Sequence, residues 1–107
     1  MQQIAVIVEA FEVDRLTRAL RTRGIPSYTV TAIRSYSAFA KEVDEILSDK
    51  ARIEFIVADE EVLKLIDMIR EEVSKHQDTD GLITVSEVKH LVAIKSGQSG
   101  MAALSST

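Results

Sequence analysis

Ile53-Glu54-Phe55-Ile56-Val57, midway along the chain, repeats the character of Ile4-Ala5-Val6-Ile7-Val8 near its start. Both are short runs rich in β-branched residues, which pack well on a pleated surface and favour strands. Each run is followed by an amphipathic stretch and then by a second β-rich run, so the chain reads twice as strand, helix, strand. Two such crossover units build one sheet with helices over one of its faces. The expected fold class is α+β.

Working outward from the first run, its nearly continuous apolar character predicts a central strand covered on both faces. Val13, Leu16, Ala19 and Leu20 then fall on one stripe of a helix while Asp14, Arg15, Arg18 and Arg21 face outward, and Gly24 and Pro26 supply its stop. In Tyr28-Thr29-Val30-Thr31-Ala32-Ile33, alternation puts Thr29 and Thr31 on one face of a strand and Val30 and Ala32 on the other. That hydroxyl-bearing face is polar enough to meet a ligand. Beyond the second run, Asp59 is the expected N-cap of a helix carrying Val62, Ile66, Ile69 and Val73. A turn over 77–81 leads into the strand Leu82-Ile83-Thr84-Val85, and Val92-Ala93-Ile94 reads as a short last strand before Gly97 and Gly100.

These elements form one domain over 1–104, with a flexible Ser-rich tail at 105–107. Residues 38–49 have no place in a minimal repeat of this kind. Phe39, Val43, Ile46 and Leu47 recur there at helical spacing among charges, which suits either a cap over exposed sheet or a mobile effector loop that folds against a partner.

A chain of 107 residues suits a single small domain, which buries only about two thirds of its unfolded surface, so assembly would help it. With 46% hydrophobic and 28% charged residues and no apolar run of spanning length, it reads as a soluble protein without membrane insertion, placed by default in the cytoplasm. The absence of cysteine excludes disulfides, thiolate catalysis and cysteine-held clusters. A net charge of -4 and few aromatics argue against nucleic-acid binding while leaving room for a local anion pocket.

Four pieces of the chain carry a resemblance: Ile4-Ala5-Val6-Ile7-Val8-Glu9-Ala10-Phe11, Tyr28-Thr29-Val30-Thr31, Asp80-Gly81-Leu82-Ile83 and Lys95-Ser96-Gly97-Gln98-Ser99-Gly100. In that order, and nearly end to end, they resemble the PII signalling proteins. The resemblance implies a ferredoxin-like βαββαβ subunit in a homotrimer, an adenine nucleotide (ATP, ADP or AMP) held in clefts between subunits, and a regulated partner such as a membrane transporter or metabolic enzyme, addressed through the 35–49 segment.

The chemistry of such a cleft can be followed on these residues. Thr79, Asp80 and Gly81 form a turn whose amides and hydroxyl can meet a phosphate, with Gly81 permitting close approach. Lys95 adds positive charge, Thr29 and Ser96 can bond a ribose or purine edge, and Ser35 and Ser37 stand where the chain leaves its second strand. Taken singly, each is also an ordinary turn or surface residue. The resemblance is imperfect where charge matters: the family's lysine after the aspartate-glycine pair is Leu82 here, and its two arginines near the end are Ala93 and Lys95. An ammonium cannot fork onto phosphate as a guanidinium does, so tight ATP binding is in doubt. The loop is shorter and has no tyrosine beyond Tyr36, so uridylylation is not expected, and Ser35 and Ser37 stand at the family's glycine positions, which restricts φ and stiffens the loop base.

Two further classes remain beside a small-molecule sensor. One is a trimeric scaffold without ligand, in which Leu82 and Ala93 fill the cleft. The other is a weak metal-binding trimer using His76 or His90 with Asp78 and Asp80, although no paired ligand spacing supports it and no metal is expected. No nucleophile elbow, phosphate-loop lysine motif or His-Glu metal motif is present, so no catalytic residue is assigned and the chain does not read as an enzyme.

Overall fold

The computed structural model describes residues 1–36, 47–75 and 81–106. Its sheet is built from β1 (Gln2–Glu9), β2 (Thr29–Ser35), β3 (Ser48–Val57) and β4 (Leu82–Glu87), in the spatial order β2-β3-β1-β4. All neighbouring pairs are antiparallel. Helix α1 (Val13–Thr22) connects β1 to β2 and α2 (Val62–Ser74) connects β3 to β4. This is the expected α+β, ferredoxin-like βαββαβ order: α1 carries the chain past the place later taken by β3, and α2 carries it past β1.

One face of the sheet holds the core. Ile4, Val6 and Val8 of β1 alternate with residues on the other face, and Ile53, Phe55 and Val57 of β3 share their side because directly paired residues point the same way. Leu16 and Leu20 of α1 and Leu65, Met68 and Ile69 of α2 close over them. Burying one such side chain contributes about 1.5–3 kcal/mol. Helix α1 ends as its glycine predicts. Gly24 adopts φ 83°, its N–H reaches the Arg21 carbonyl, and the Ile25 N–H reaches that of Leu20, a Schellman arrangement only a residue tolerant of positive φ accepts readily.

Some local expectations differ from the structure. Asp59 does not cap α2. It opens a 3-10 turn, Asp59–Glu61, and its carboxylate accepts the Met1 amino group at 2.8 Å and the Gln2 amide at 3.3 Å instead. The cap position is Glu61, without a side-chain bond. β3 begins at Ser48, well before the apolar run, because its polar first half pairs with β2 across residues 29–35. Val92-Ala93-Ile94 is not a strand of the sheet: Val92 makes a single bridge to Ser99 within a glycine-closed turn. A 3-10 segment, Gly100–Ser106, comes next, and Ser105 and Ser106 of the expected tail belong to it. Among the described residues no helix is long and apolar enough to cross a membrane.

The expectation that β1 is covered on both faces holds for its helix side only. On the other face Ala5 is buried while Ile7 stays partly exposed, and α1 and α2 both pack on the opposite side.

Candidate functional site

The uncovered face is the polar one. Thr29 pairs with Glu54 and Thr31 with Arg52, so these four side chains share it. Through β1 the same face takes in Ala5 opposite Glu54 and Ile7 opposite Arg52, and through β4 it takes in Thr84 and Leu82. The alternation expected along β2 is therefore met: Thr29 and Thr31 point away from the core, Val30 and Ala32 toward the helix side.

At the Thr29 end lies a hollow of about 220 Å³. Gln3, Ser27, Tyr28, Thr29 and Glu54 bring hydroxyls, an amide and a carboxylate to it, and Ile56 and Leu104 supply apolar surface. Arg21 donates to the Tyr28 hydroxyl at 2.5 Å, fixing that ring beside the entrance. Leu104 arrives from the C-terminal 3-10 segment, whose Ala103 is buried.

Charge on this face is internally balanced. Lys50 is paired with Glu9, both largely buried, and Arg52 with Glu54. Arg34 and Asp49, both well exposed, approach at 3.8 Å on the opposite side of the sheet, in the alternation of Val30 and Ala32. No motif in the sequence singles out Glu54, Arg52 or Lys50. The available signal is their parity: they alternate with Ala51, Ile53 and Phe55, so they had to share a face, and pairing with β2 made it the face of Thr29.

The remaining predicted residues fall in separate places. Ser35 ends β2 and its carbonyl accepts the Ser48 hydroxyl at 3.3 Å. Ser37, Thr79 and Asp80 lie outside the described residues, as do Phe39, Val43, Ile46, His76 and Asp78. Gly81 sits before β4, where a Cβ would come within 2.8 Å of the Ile7 carbonyl oxygen. Its close approach is thus to β1. Lys95 and Ser96 occupy the tip of the turn over 92–99, held by the Ala93 N–H on Gln98 O at 2.8 Å and the Gly97 N–H on Ala93 O at 2.9 Å. The Ser96 hydroxyl accepts the Gln98 N–H at 3.2 Å, while Lys95 is exposed.

Thr29 and Gly81 belong to opposite edges of the sheet. Three strand spacings separate β2 from β4, which is about 14 Å at the least. In one protomer these two residues cannot bond the same phosphate, and they reach a common ligand only from two copies. Of the residues named for a filled cleft, Ala93 is buried in its own turn and Leu82 is 67% exposed. Among the described residues there is no cluster of three or more potential metal ligands, and His90 is exposed.

Comparison with known proteins gives the geometry its context. The family model described as nitrogen regulatory protein P-II matches residues 1–98. A nitrogen regulatory protein P-II of Bradyrhizobium diazoefficiens is 29% identical, over 97% of this chain and all (100%) of that protein. Another from Pasteurella multocida is 28% identical over 92% of this chain and 95% of its own length. The nitrogen regulatory protein GlnK of Escherichia coli is 25% identical over 97% of this chain and 100% of its own. With its sheet order, its two connecting helices and a family match spanning nearly its whole length, the chain belongs to the nitrogen regulatory protein P-II family of regulatory signalling proteins, which are not enzymes.

Proposed function

We propose that this protein is the sensing subunit of a homotrimer that binds an adenine nucleotide in clefts between copies and reports occupancy to a partner protein, a transporter or a metabolic enzyme, through the 35–49 segment. The observation that carries this reading is the hollow at Thr29. It combines hydrogen-bonding groups able to read the edge of a heterocycle with the apolar surface of Ile56 and Leu104, the usual make-up of a small-molecule site. Its opening on the uncovered sheet face, with Thr29 and Gly81 on opposite edges, is what a site completed by a second copy requires. Assembly also gives Ile7 and Ile56 the cover that one protomer lacks. Lys95 and Ser96, on an exposed turn, are then available to a ligand held against a neighbour, together with Ser35, Ser37, Thr79, Asp80 and Gly81 as the residues that surround it.

The output segment starts where β2 ends, at Ser35, so a ligand along the β2 edge would bias the arrangement of the segment beyond that strand. Thermal-shift measurement with ATP, ADP and AMP tests the sensing step, since a ligand selective for the native state raises the melting temperature by mass action. Hydrogen exchange over residues 38–47, with and without the stabilising nucleotide, tests the output. Equal exchange rates in the two states would remove the segment from signalling.

A further inference from the structure

We propose a second ligand site, on the helix face of the sheet, that takes a short aliphatic carboxylate. It is a hollow of about 200 Å³ at the corner where the C-terminal half of α2 lies over β1 and the start of β4. Buried Val6, Val8 and Ile69 form its inner wall, and the more exposed Val73, Leu82 and Ile83 its outer part. The sheet register explains why this corner is open. Leu82 pairs with Ile7, so Gly81 stands opposite Val8, where a Cβ would point toward the Val8 methyl, 3.4 Å away, and a larger residue would fill the space. Val6 and Val8 face the helices, whereas the hollow at Thr29 belongs to the uncovered face of the sheet. The two sites are separate.

The lining selects the ligand. Apolar walls favour an aliphatic body by the surface it removes from water. The volume exceeds the roughly 150 Å³ that receives benzene, which suits a body of about five to seven carbons. Among the described residues of the lining, Arg70 is the one charged group and Ser74 the one hydroxyl. That hydroxyl is committed to the Glu71 carbonyl at 3.0 Å, which leaves Arg70 as the donor. Arg70 is exposed, and among the described residues its guanidinium enters no ion pair, so it can fork onto a carboxylate without first separating one. Helix α2 ends at Ser74, and the negative pole of its dipole falls at this corner. The guanidinium therefore decides whether an anion is preferred to a neutral molecule of the same shape.

Methyl-selective NMR of the full chain reads the site directly, because its apolar lining consists of Val, Leu and Ile. The probes are hexanoate, hexanamide, which keeps the body without the charge, and acetate, which keeps the charge without the body. Hexanoate should shift the methyls of Val8, Ile69, Val73 and Ile83 saturably, with a Kd on the order of 1 mM for a ligand of this size. It should bind about ten-fold or more tightly than hexanamide, and acetate should leave these methyls unmoved. Arg70→Gln, an exposed substitution whose folding circular dichroism verifies, should abolish the preference for hexanoate while leaving hexanamide unchanged. Equal binding of hexanoate and hexanamide, a preference that survives Arg70→Gln, or shifts confined to Ile56 and Leu104 of the other hollow would each overturn the proposal, as would the absence of any saturable shift.

Discussion

Gly81 packs against Ile7 so closely that a Cβ added to it would stand 2.8 Å from the Ile7 carbonyl oxygen and 3.4 Å from a Val8 methyl. Backbone oxygen cannot swing aside as a side chain can, so any larger residue must push β4 away from β1 just where Ile7 pairs with Leu82. Gly81→Ala is expected to cost about 1–3 kcal/mol, the usual range for overpacking. Urea denaturation of the variant checks it. A stability equal to that of the unaltered chain would show that the edge relaxes freely.

The pairing of Lys50 with Glu9 on the open face leads to a second expectation. Both side chains are largely buried, at 15% and 24% exposure, so removing one partner strands the other in poor solvent. Lys50→Met alone should destabilise by about 1–3 kcal/mol, and Lys50→Met combined with Glu9→Gln by less than Lys50→Met alone. Chemical denaturation of the two variants decides it, and a double variant weaker than the single would contradict the geometry.

The uncovered face predicts assembly. Light scattering at micromolar concentration should give three times the protomer mass, and Ile7→Lys, which places a cation in the half-buried centre of that face, should shift the population to monomer. A trimer unaffected by Ile7→Lys would mean that copies meet through another surface.

Asp59 supplies a pH prediction. The hydrogen bond and charge of the Met1 amino group lower its carboxyl below the ordinary 3.8, with Gln2 adding to the effect. A carboxylate whose folded pKa is depressed contributes stability that is present above the unfolded value and lost as pH falls through the folded one. The contribution is therefore complete at neutral pH and disappears only below about 3.8. Carboxyl NMR titration should place Asp59 below that value, and acetylation of the amino group should raise it back. An unchanged titration after acetylation would exclude the contact.

A core substitution sets the scale for the others. Ile53 is fully buried, at 0% exposure, and faces the helices from the strand that pairs with both β1 and β2. Ile53→Ala should cost about 2–5 kcal/mol, measured by thermal or urea unfolding.

Much of the architecture is legible along the chain because it obeys local rules. Alternation puts Thr29 and Thr31 on one face of a strand, helical spacing gathers Leu16 and Leu20 on one stripe, and Gly24 ends that helix because positive φ suits glycine. These depend on neighbours within a few residues. The partners of those elements depend on hydrogen bonds between distant segments, which no local period encodes. Only the sheet order sets Glu54 opposite both Thr29 and Ala5, pairs Lys50 with Glu9, and brings Gly81 onto the Ile7 carbonyl. The same holds for Asp59, a plausible cap by sequence that is drawn to the Met1 amino group because β1 and β3 start and finish side by side. Val92 to Ile94 has a strand's composition, yet the Ala93 amide is satisfied inside a glycine-closed turn and is not offered to the sheet. Local stereochemistry thus determined the elements, their polar and apolar faces and the neighbouring Arg52–Glu54 pair, whereas the long-range pairing of backbone groups decided which strands meet, that Lys50 reaches Glu9, and which groups line the site.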